Sequence, residues 1–297
     1  MDALMQLKFP FISNYPHYKE NAVSLLSTPE RVDAHPDYTG KGVTIAFVDS
    51  GFSNHPAIVD RIRLHVDAST QHIMEQPKVV QTGIASWHGQ MTSVIAAGNG
   101  CYSEGKYRGI ASESDLILIK VSTPDFRIKE PDILRGLRWI YDTRHRHNIR
   151  VVNCSVGGDF PSQNPDHPLH RIVRRLTEAG IVVVVASGNR GRDSLVPPAS
   201  APEAVIVGGY DDQNSLNRDD WTCFHHNYGS AYDGTPKPDL LAPANWLASP
   251  FLPDSETAAE VEVLAKVLHA QSESEVMTIL QTGYETLQLT EAEIEVM

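Results

Sequence analysis

Five short apolar runs dominated by β-branched residues, spaced well apart, constrain this chain more than any other feature. They lie near Val43–Val48, Leu116–Val121, Val151–Cys154, Ile181–Ala186 and Ala204–Gly208. The runs are near-continuous rather than alternating, the pattern of strands covered on both faces. Helical stretches near Thr92–Asn99, Pro131–Arg146 and Leu169–Ala179 separate the first four. Parallel neighbours in a sheet need a crossover of about a dozen residues or more, usually a helix. The alternation therefore predicts an α/β fold of three layers, a parallel sheet with helices on both faces. With 297 residues and 41% hydrophobic content, the chain can bury one large core, and a single domain of about 250 residues is an ordinary size. No internal repeat or low-complexity segment interrupts it.

The first run ends on a carboxylate. Gly42 to Gly51 reads GVTIAFVDSG, so Asp49 closes a buried strand. In open α/β sheets the carboxyl ends of the strands are where ligands and chemistry gather. About forty residues later comes Trp87-His88-Gly89-Gln90-Met91-Thr92-Ser93-Val94-Ile95-Ala96-Ala97-Gly98. This places His88 at the mouth of a small-residue helix able to pack closely on a sheet. Singly, each residue has an ordinary role, Asp49 in the following turn and His88 as a helix cap. Together they offer an acid and a base for one site.

With their flanks, these residues resemble the subtilisin-like serine peptidases, whose catalytic residues run Asp, His, Ser along the chain. The aspartate motif is Val48-Asp49-Ser50-Gly51, followed by His55-Pro56. The histidine motif is His88-Gly89, with Gln90 where the family usually has threonine. Val151-Val152-Asn153-Cys154-Ser155-Val156-Gly157-Gly158 is similar to the strand whose edge pairs with substrate. Val182 to Gly191, VVVVASGNRG, is similar to the strand and turn that carry the oxyanion asparagine, here Asn189. Pro197-Pro198-Ala199-Ser200-Ala201-Pro202-Glu203 and Lys237-Pro238-Asp239-Leu240-Leu241-Ala242-Pro243 follow in order. The likeness covers roughly Pro29 to Pro250, and it suggests a cis Pro197–Pro198 bond.

The resemblance implies a mechanism. His88 takes the proton of a serine nucleophile, while Asp49 fixes the imidazole tautomer and stabilises the imidazolium. Asn189 donates to the tetrahedral oxyanion. A peptide or protein substrate adds as an extended strand beside Ser155, Val156 and Gly157. One of its side chains enters a pocket between that segment and Ala186, Ser187 and Gly188. No cofactor is expected. Structural calcium is compatible with the family, although no carboxylate cluster can be assigned to it.

The pattern then breaks, because Gly-Thr-Ser-x-Ala-x-Pro, the family's nucleophile motif, does not occur in the sequence. The nearest imitation, Asp254-Ser255-Glu256-Thr257-Ala258-Ala259-Glu260, lacks the glycine that lets the backbone turn tightly before the helix. Loss of the nucleophile from such a triad costs about 10⁶ in rate. The chain as it stands is therefore expected to be inactive. It reads either as part of a serine endopeptidase or as a non-catalytic peptide-binding module.

Charge divides the chain as well. The net charge is -12, yet Asp254 to Met297 holds 10 acidic residues and one lysine, leaving the body nearly neutral. A body without a basic face argues against nucleic-acid binding. Val261, Leu264, Val267 and Leu268 recur at helical spacing, Ser272-Glu273-Ser274-Glu275 is a capping box, and Thr290-Glu291-Ala292-Glu293 has the same spacing. The expected organisation is a short arm (1–28), an incomplete peptidase domain (29–253) and an acidic helical insertion or extension (254–297). The third helix start, only two turns from Met297, reads as a chain cut inside an element.

Other assignments are weaker. No apolar run reaches the roughly 18 residues of a membrane span, and the N-terminus lacks the basic start and apolar core of a secretory signal. Cys101, Cys154 and Cys223 leave at least one thiol unpaired, which favours a reducing, cytoplasmic setting. His145, His147, His225 and His226 lack the spacing of a zinc site. Asn153-Cys154-Ser155 has the form of a glycosylation sequon but falls at a buried strand end. No glycine-rich phosphate loop follows any strand, so a nucleotide-binding reading is remote.

Overall fold

The computed structural model describes residues 25–76, 86–252 and 255–290. These divide into two compact units, one ending at Pro250 and one beginning at Phe251.

The first unit is built on one large sheet. Its long strands are β1 (Thr44–Asp49), β2 (Ile62–Asp67), β4 (Asp115–Lys120), β5 (Ile149–Cys154), β6 (Val182–Ala186) and β7 (Val205–Asp211). β3 (Met74–Gln76), β8 (Thr222–Cys223) and β11 (Leu240–Pro243) complete it, in the order β11-β7-β6-β5-β1-β4-β2-β3 with β8 beside β7. Pairing is parallel except at β3 and β8. β9 (Gly229–Ser230) and β10 (Pro236–Lys237) form a separate two-stranded pair. All six residues of β1 are buried, because it lies between β4 and β5. That central position puts Asp49 at the carboxyl edge of the sheet, in register with Lys120.

Strand alternation sorts side chains between two faces. Ala46, Val48, Ile117, Ile119, Val152, Val183, Val185 and Ile206 face the larger core. Two helices cover it, α3 (Glu130–Thr143) through Ile133, Leu137 and Ile140, and α4 (Pro168–Glu178) through Leu169, Ile172, Val173 and Leu176. Their apolar positions fall at i, i+3, i+4 and i+7, the spacing of one helical face. The opposite face holds Ile45, Phe47, Leu116 and Leu118 with Ala97 of α2 (Trp87–Ala97). The expected helices at Thr92–Asn99, Pro131–Arg146 and Leu169–Ala179 thus exist, with the first beginning five residues earlier. Glycine at the third helical position weakens the local signal there.

Coverage of that second face is uneven. α2 lies over β1, whereas on the same face Val182 of β6 remains 49% exposed and Leu240 of β11 47%. Val183 and Val185, which point the other way, are 1% exposed. A parallel sheet normally carries helices on both faces, so Val182 and Leu240 mark a half-covered sheet surface.

A short helix, α1 (Thr28–Arg31), is tied in by charge. The Arg31 guanidinium is fully buried against the Asp212 carboxylate and also donates to Asn214 Oδ1 at 2.8 Å and the Trp246 carbonyl at 2.6 Å. Pro197–Pro198 is cis, as is Lys237–Pro238.

The second unit contains α5 (Glu256–His269) and α6 (Glu273–Gly283), both N-capped by serine. Ser272 Oγ accepts from Glu275 N at 3.2 Å, but the Glu275 carboxylate reaches back to Gln271 N rather than to the cap residue itself. The expected capping box is therefore half formed. Ser255, within the imitation motif, accepts from Ala258 N and serves as the cap of α5. The helical reading at 291–297 and the arm over residues 1–24 lie outside the described residues.

Candidate active site

Asp49 and His88 meet because α2 can approach β1 closely. Gly89, Ser93 and Ala97 recur every fourth residue, and all three are buried. A Cβ on Gly89 would lie 2.0 Å from the Gly51 carbonyl oxygen, so only glycine permits this contact. Ser93 Oγ donates to the Gly89 carbonyl at 2.8 Å instead of pushing the helix outward. His88, at the second helical position, is thereby brought over the end of β1.

The geometry is that of an oriented imidazole. His88 Nδ1 donates to Asp49 Oδ1 at 2.7 Å, and the same oxygen accepts from Ser50 N at 2.6 Å. Thr92 Oγ1, one turn along α2, donates to Asp49 Oδ2 at 3.1 Å. Asp49 is completely buried, whereas the His88 side chain is 34% exposed. The hydrogen bond to Asp49 raises the His88 pKa above the ordinary histidine value, against an opposing effect of burial. With Nδ1 committed, Nε2 is left to accept a proton.

A cavity of about 410 Å³ opens beside this ring, bounded by Trp87, His88, Phe126, Ile128 and the segment Ser155-Val156-Gly157. On the far side of that segment lies a second cavity of about 320 Å³, bounded by Gly157, Gly158, Gly188, Asn189, Arg190 and Arg192 among others. The segment thus stands between two hollows, with His88 on one and Asn189 on the other. Gly188 (φ 100) and Gly191 (φ 58) supply the left-handed conformations that the Asn189 turn requires.

Not every expected pocket residue is a wall of it. Gly157 and Gly188 are, while Ser155 and Val156 border the His88 cavity. Ala186 and Ser187 border neither, since Ala186 ends β6 and Ser187, directly after it, is buried. A residue the sequence reading missed is Asn227. Its Oδ1 accepts from the backbone N–H groups of Arg190 at 2.9 Å and Arg192 at 3.4 Å, and its own N–H donates to the Gly188 carbonyl at 2.9 Å. No local signal announces it, because the contact spans 37 residues of chain.

The histidine pairs set aside as metal ligands have other occupations. His147 stacks on Trp139 with centroids 5.5 Å apart, and the His226 ring bonds the Gly209 carbonyl at 2.9 Å. Among the described residues, no group of three or more His, Cys, Asp or Glu side chains is placed to hold a metal ion.

A mainly parallel sheet flanked by helices, with an Asp–His pair at its carboxyl edge, defines a class of α/β proteins. The family follows from the sequence, since residues 40–288 match the model of the Subtilase family, peptidase S8. The chain belongs to that family. It is 34% identical over 226 residues to serine protease AprX of Bacillus subtilis (strain 168), covering 73% of this chain and 49% of that protein. Subtilisin BL of Lederbergia lenta is 31% identical over 178 residues, covering 60% of this chain and 59% of the relative. The chain thus spans about half the length of the first of these relatives and 59% of the second. Among solved structures, Sphericase superposes with a TM-score of 0.60 at 17% identity, covering 81% of this chain and 74% of that one. S41 psychrophilic protease gives 0.57 at 22% identity, with 72% of each covered. At these identities the structural likeness concerns the fold.

Proposed function

We propose that this chain carries the acid–base pair, the oxyanion donor and the substrate groove of a subtilisin-type serine endopeptidase. The 2.7 Å hydrogen bond from His88 Nδ1 to buried Asp49 beside the groove carries the reading. His88 Nε2 takes the proton of a serine hydroxyl as its oxygen attacks the peptide carbonyl carbon. Asp49 holds the ring in the tautomer this needs and stabilises the imidazolium that results. Asn189 donates its amide to the developing oxyanion. An extended peptide pairs with Ser155-Val156-Gly157, a mode in which main-chain hydrogen bonds give affinity and side-chain pockets give selectivity.

The nucleophile in its Gly-Thr-Ser setting is not among the 297 residues. The polypeptide by itself is therefore inactive in this reading. The exposed Val182 and Leu240, on one sheet face, support it, because a helix packed there would cover such a surface. Residues 29–253 then form the peptidase domain and 254–297 an acidic helical appendage. Free thiols at Cys101, Cys154 and Cys223 suit a reducing, cytoplasmic setting. No helix among the described residues is long and apolar enough to cross a membrane.

Formed cavities on both sides of Ser155–Gly157 favour a second reading, a peptide-binding module without turnover. Incubating the purified chain with a fluorophosphonate probe and a quenched peptide substrate tests the proposal. The expected result is neither labelling nor cleavage. Stoichiometric labelling would refute inactivity, and saturable peptide binding without cleavage would support the groove. Reading the coding DNA beyond codon 297 for Gly-Thr-Ser-x-Ala-x-Pro separates the two readings.

A further inference from the structure

The hollow next to Asn189 differs from an ordinary apolar pocket in its charge. Arg190 and Arg192 both border it, against a single bordering carboxylate, Asp159. Neither guanidinium is engaged in an ion pair among the described residues. The Glu130 carboxylate, which stands where a Gly158 side chain would project, is directed to His167 Nε2 at 3.5 Å.

The arginine-bearing backbone is also fixed. Asn227 accepts from the N–H of both residues, Gly191 N donates to the His225 carbonyl at 2.8 Å, and Tyr228 N donates to the Arg192 carbonyl at 3.0 Å. The opposite wall is Gly157 and Gly158, which contribute no side chains and leave a volume of about 320 Å³. A hollow with a glycine wall, two arginines on a fixed backbone and a net positive charge selects for an anionic guest.

We propose that the pocket between Gly157–Gly158 and Gly188–Arg192 accepts the carboxylate side chain of a glutamate or aspartate in an extended peptide, held by Arg190 and Arg192. The proposal rests on the groove reading above and names its substrate class. Guanidinium–carboxylate pairs are the more directional of charged hydrogen bonds. Exposed pairs contribute only modestly each. Two such pairs correspond to about a tenfold preference for the anion, since tenfold in Kd is about 1.4 kcal/mol.

The test is fluorescence anisotropy of the full chain with dye-labelled, C-terminally amidated octapeptides that differ at one position, Glu, Gln or Lys. The expected order is Glu about tenfold tighter than Gln, with Lys weakest, and the Glu advantage shrinking as salt is raised. In Arg190→Ala/Arg192→Ala the Glu and Gln peptides should bind equally, and in Arg190→Glu/Arg192→Glu the Lys peptide should become the tightest. Both positions are exposed, and far-ultraviolet circular dichroism confirms that each variant is folded. Equal binding of Glu and Gln peptides by the unaltered chain overturns the anionic pocket while leaving the groove intact. Failure of all three peptides to bind overturns the groove reading and this proposal with it.

Discussion

Gly89→Ala isolates the contact that brings His88 to Asp49. In an ordinary helix interior this change stabilises by up to about 1 kcal/mol, because alanine restricts the unfolded chain more and favours the helix. Here the new methyl would sit 2.0 Å from the Gly51 carbonyl oxygen and 2.9 Å from Phe52 Cε1. The oxygen belongs to the backbone two residues after Asp49, so it cannot swing away as a side-chain tip would. Ordinary contact is restored only if α2 withdraws by about 1.3 Å. Overpacking of this kind costs about 1–3 kcal/mol. Taking the upper end, since backbone meets backbone, and subtracting the propensity gain leaves a net loss of about 2 kcal/mol.

The same withdrawal lengthens the His88–Asp49 hydrogen bond from 2.7 Å to beyond bonding distance. Its effect on titration has a definite sign. The raised His88 pKa means that the folded state favours the protonated ring. That contribution to stability is full below the unfolded value near 6.5 and is lost as pH rises through the folded pKa. Because the side chain is about a third exposed, solvent screens part of the coupling. In Gly89→Ala the bond is lost while burial and the Asp49 charge remain, so the ring should titrate below its value in the unaltered protein. Proton NMR of the His88 ring and urea unfolding read the two effects separately. An unshifted His88 titration together with a stability loss under about 0.5 kcal/mol would refute the close-approach argument.

Three further outcomes are expected. Val183→Ala should cost about 2 kcal/mol, from lost burial plus a cavity. The neighbouring Val182→Ala should cost well under about 1 kcal/mol, since that side chain is already 49% exposed; equal losses in urea titration would mean the sheet face is covered. Asp212→Ala should destabilise by about 3–5 kcal/mol, because it leaves the buried Arg31 guanidinium without its carboxylate, and a loss below about 1 kcal/mol in the same assay would contradict the pair's burial. A colorimetric thiol reagent should modify Cys101 and Cys223 in the native protein but reach Cys154 only after denaturation, since burial pushes that thiol's pKa up to about 12.

The strands that were legible in the sequence are those with an unbroken apolar run, whether buried on both faces like β1 or half-covered like β6. β2, Ile62–Asp67, was not, since Arg63 and His65 interrupt its pattern. β11 was read as a motif but not as a strand, as Pro238 and Pro243 bracket it and β-propensity is local. Asp49 and His88 stood out because their flanks, a glycine-bounded strand and a small-residue helix, are local features. The supports of the site are not local. Asn227 reaches the Asn189 turn across 37 residues, and Arg31 reaches Asp212 across 181. The spacing of such pairs encodes nothing until the sheet order is known.

A second histidine shows why geometry alone does not make a catalytic base. His170 Nε2 lies 2.8 Å from Ser200 Oγ, the reach expected between a base and a nucleophile. Both residues are fully buried. His170 Nδ1 donates to the Asn164 carbonyl at 2.7 Å, so a neutral dipole stands where His88 has a carboxylate. The nearest candidate for that role, Glu203, is engaged by Arg174 at 2.8 Å and by Tyr232 at 2.6 Å. Taking a proton from Ser200 would therefore place a new imidazolium in a buried site with no facing anion. Burial accordingly lowers the His170 pKa, whereas the Asp49 hydrogen bond raises that of His88. A partly exposed ring with a carboxylate behind it can hold a proton during a reaction, and a buried one backed by a carbonyl serves only to fix Ser200 against α4.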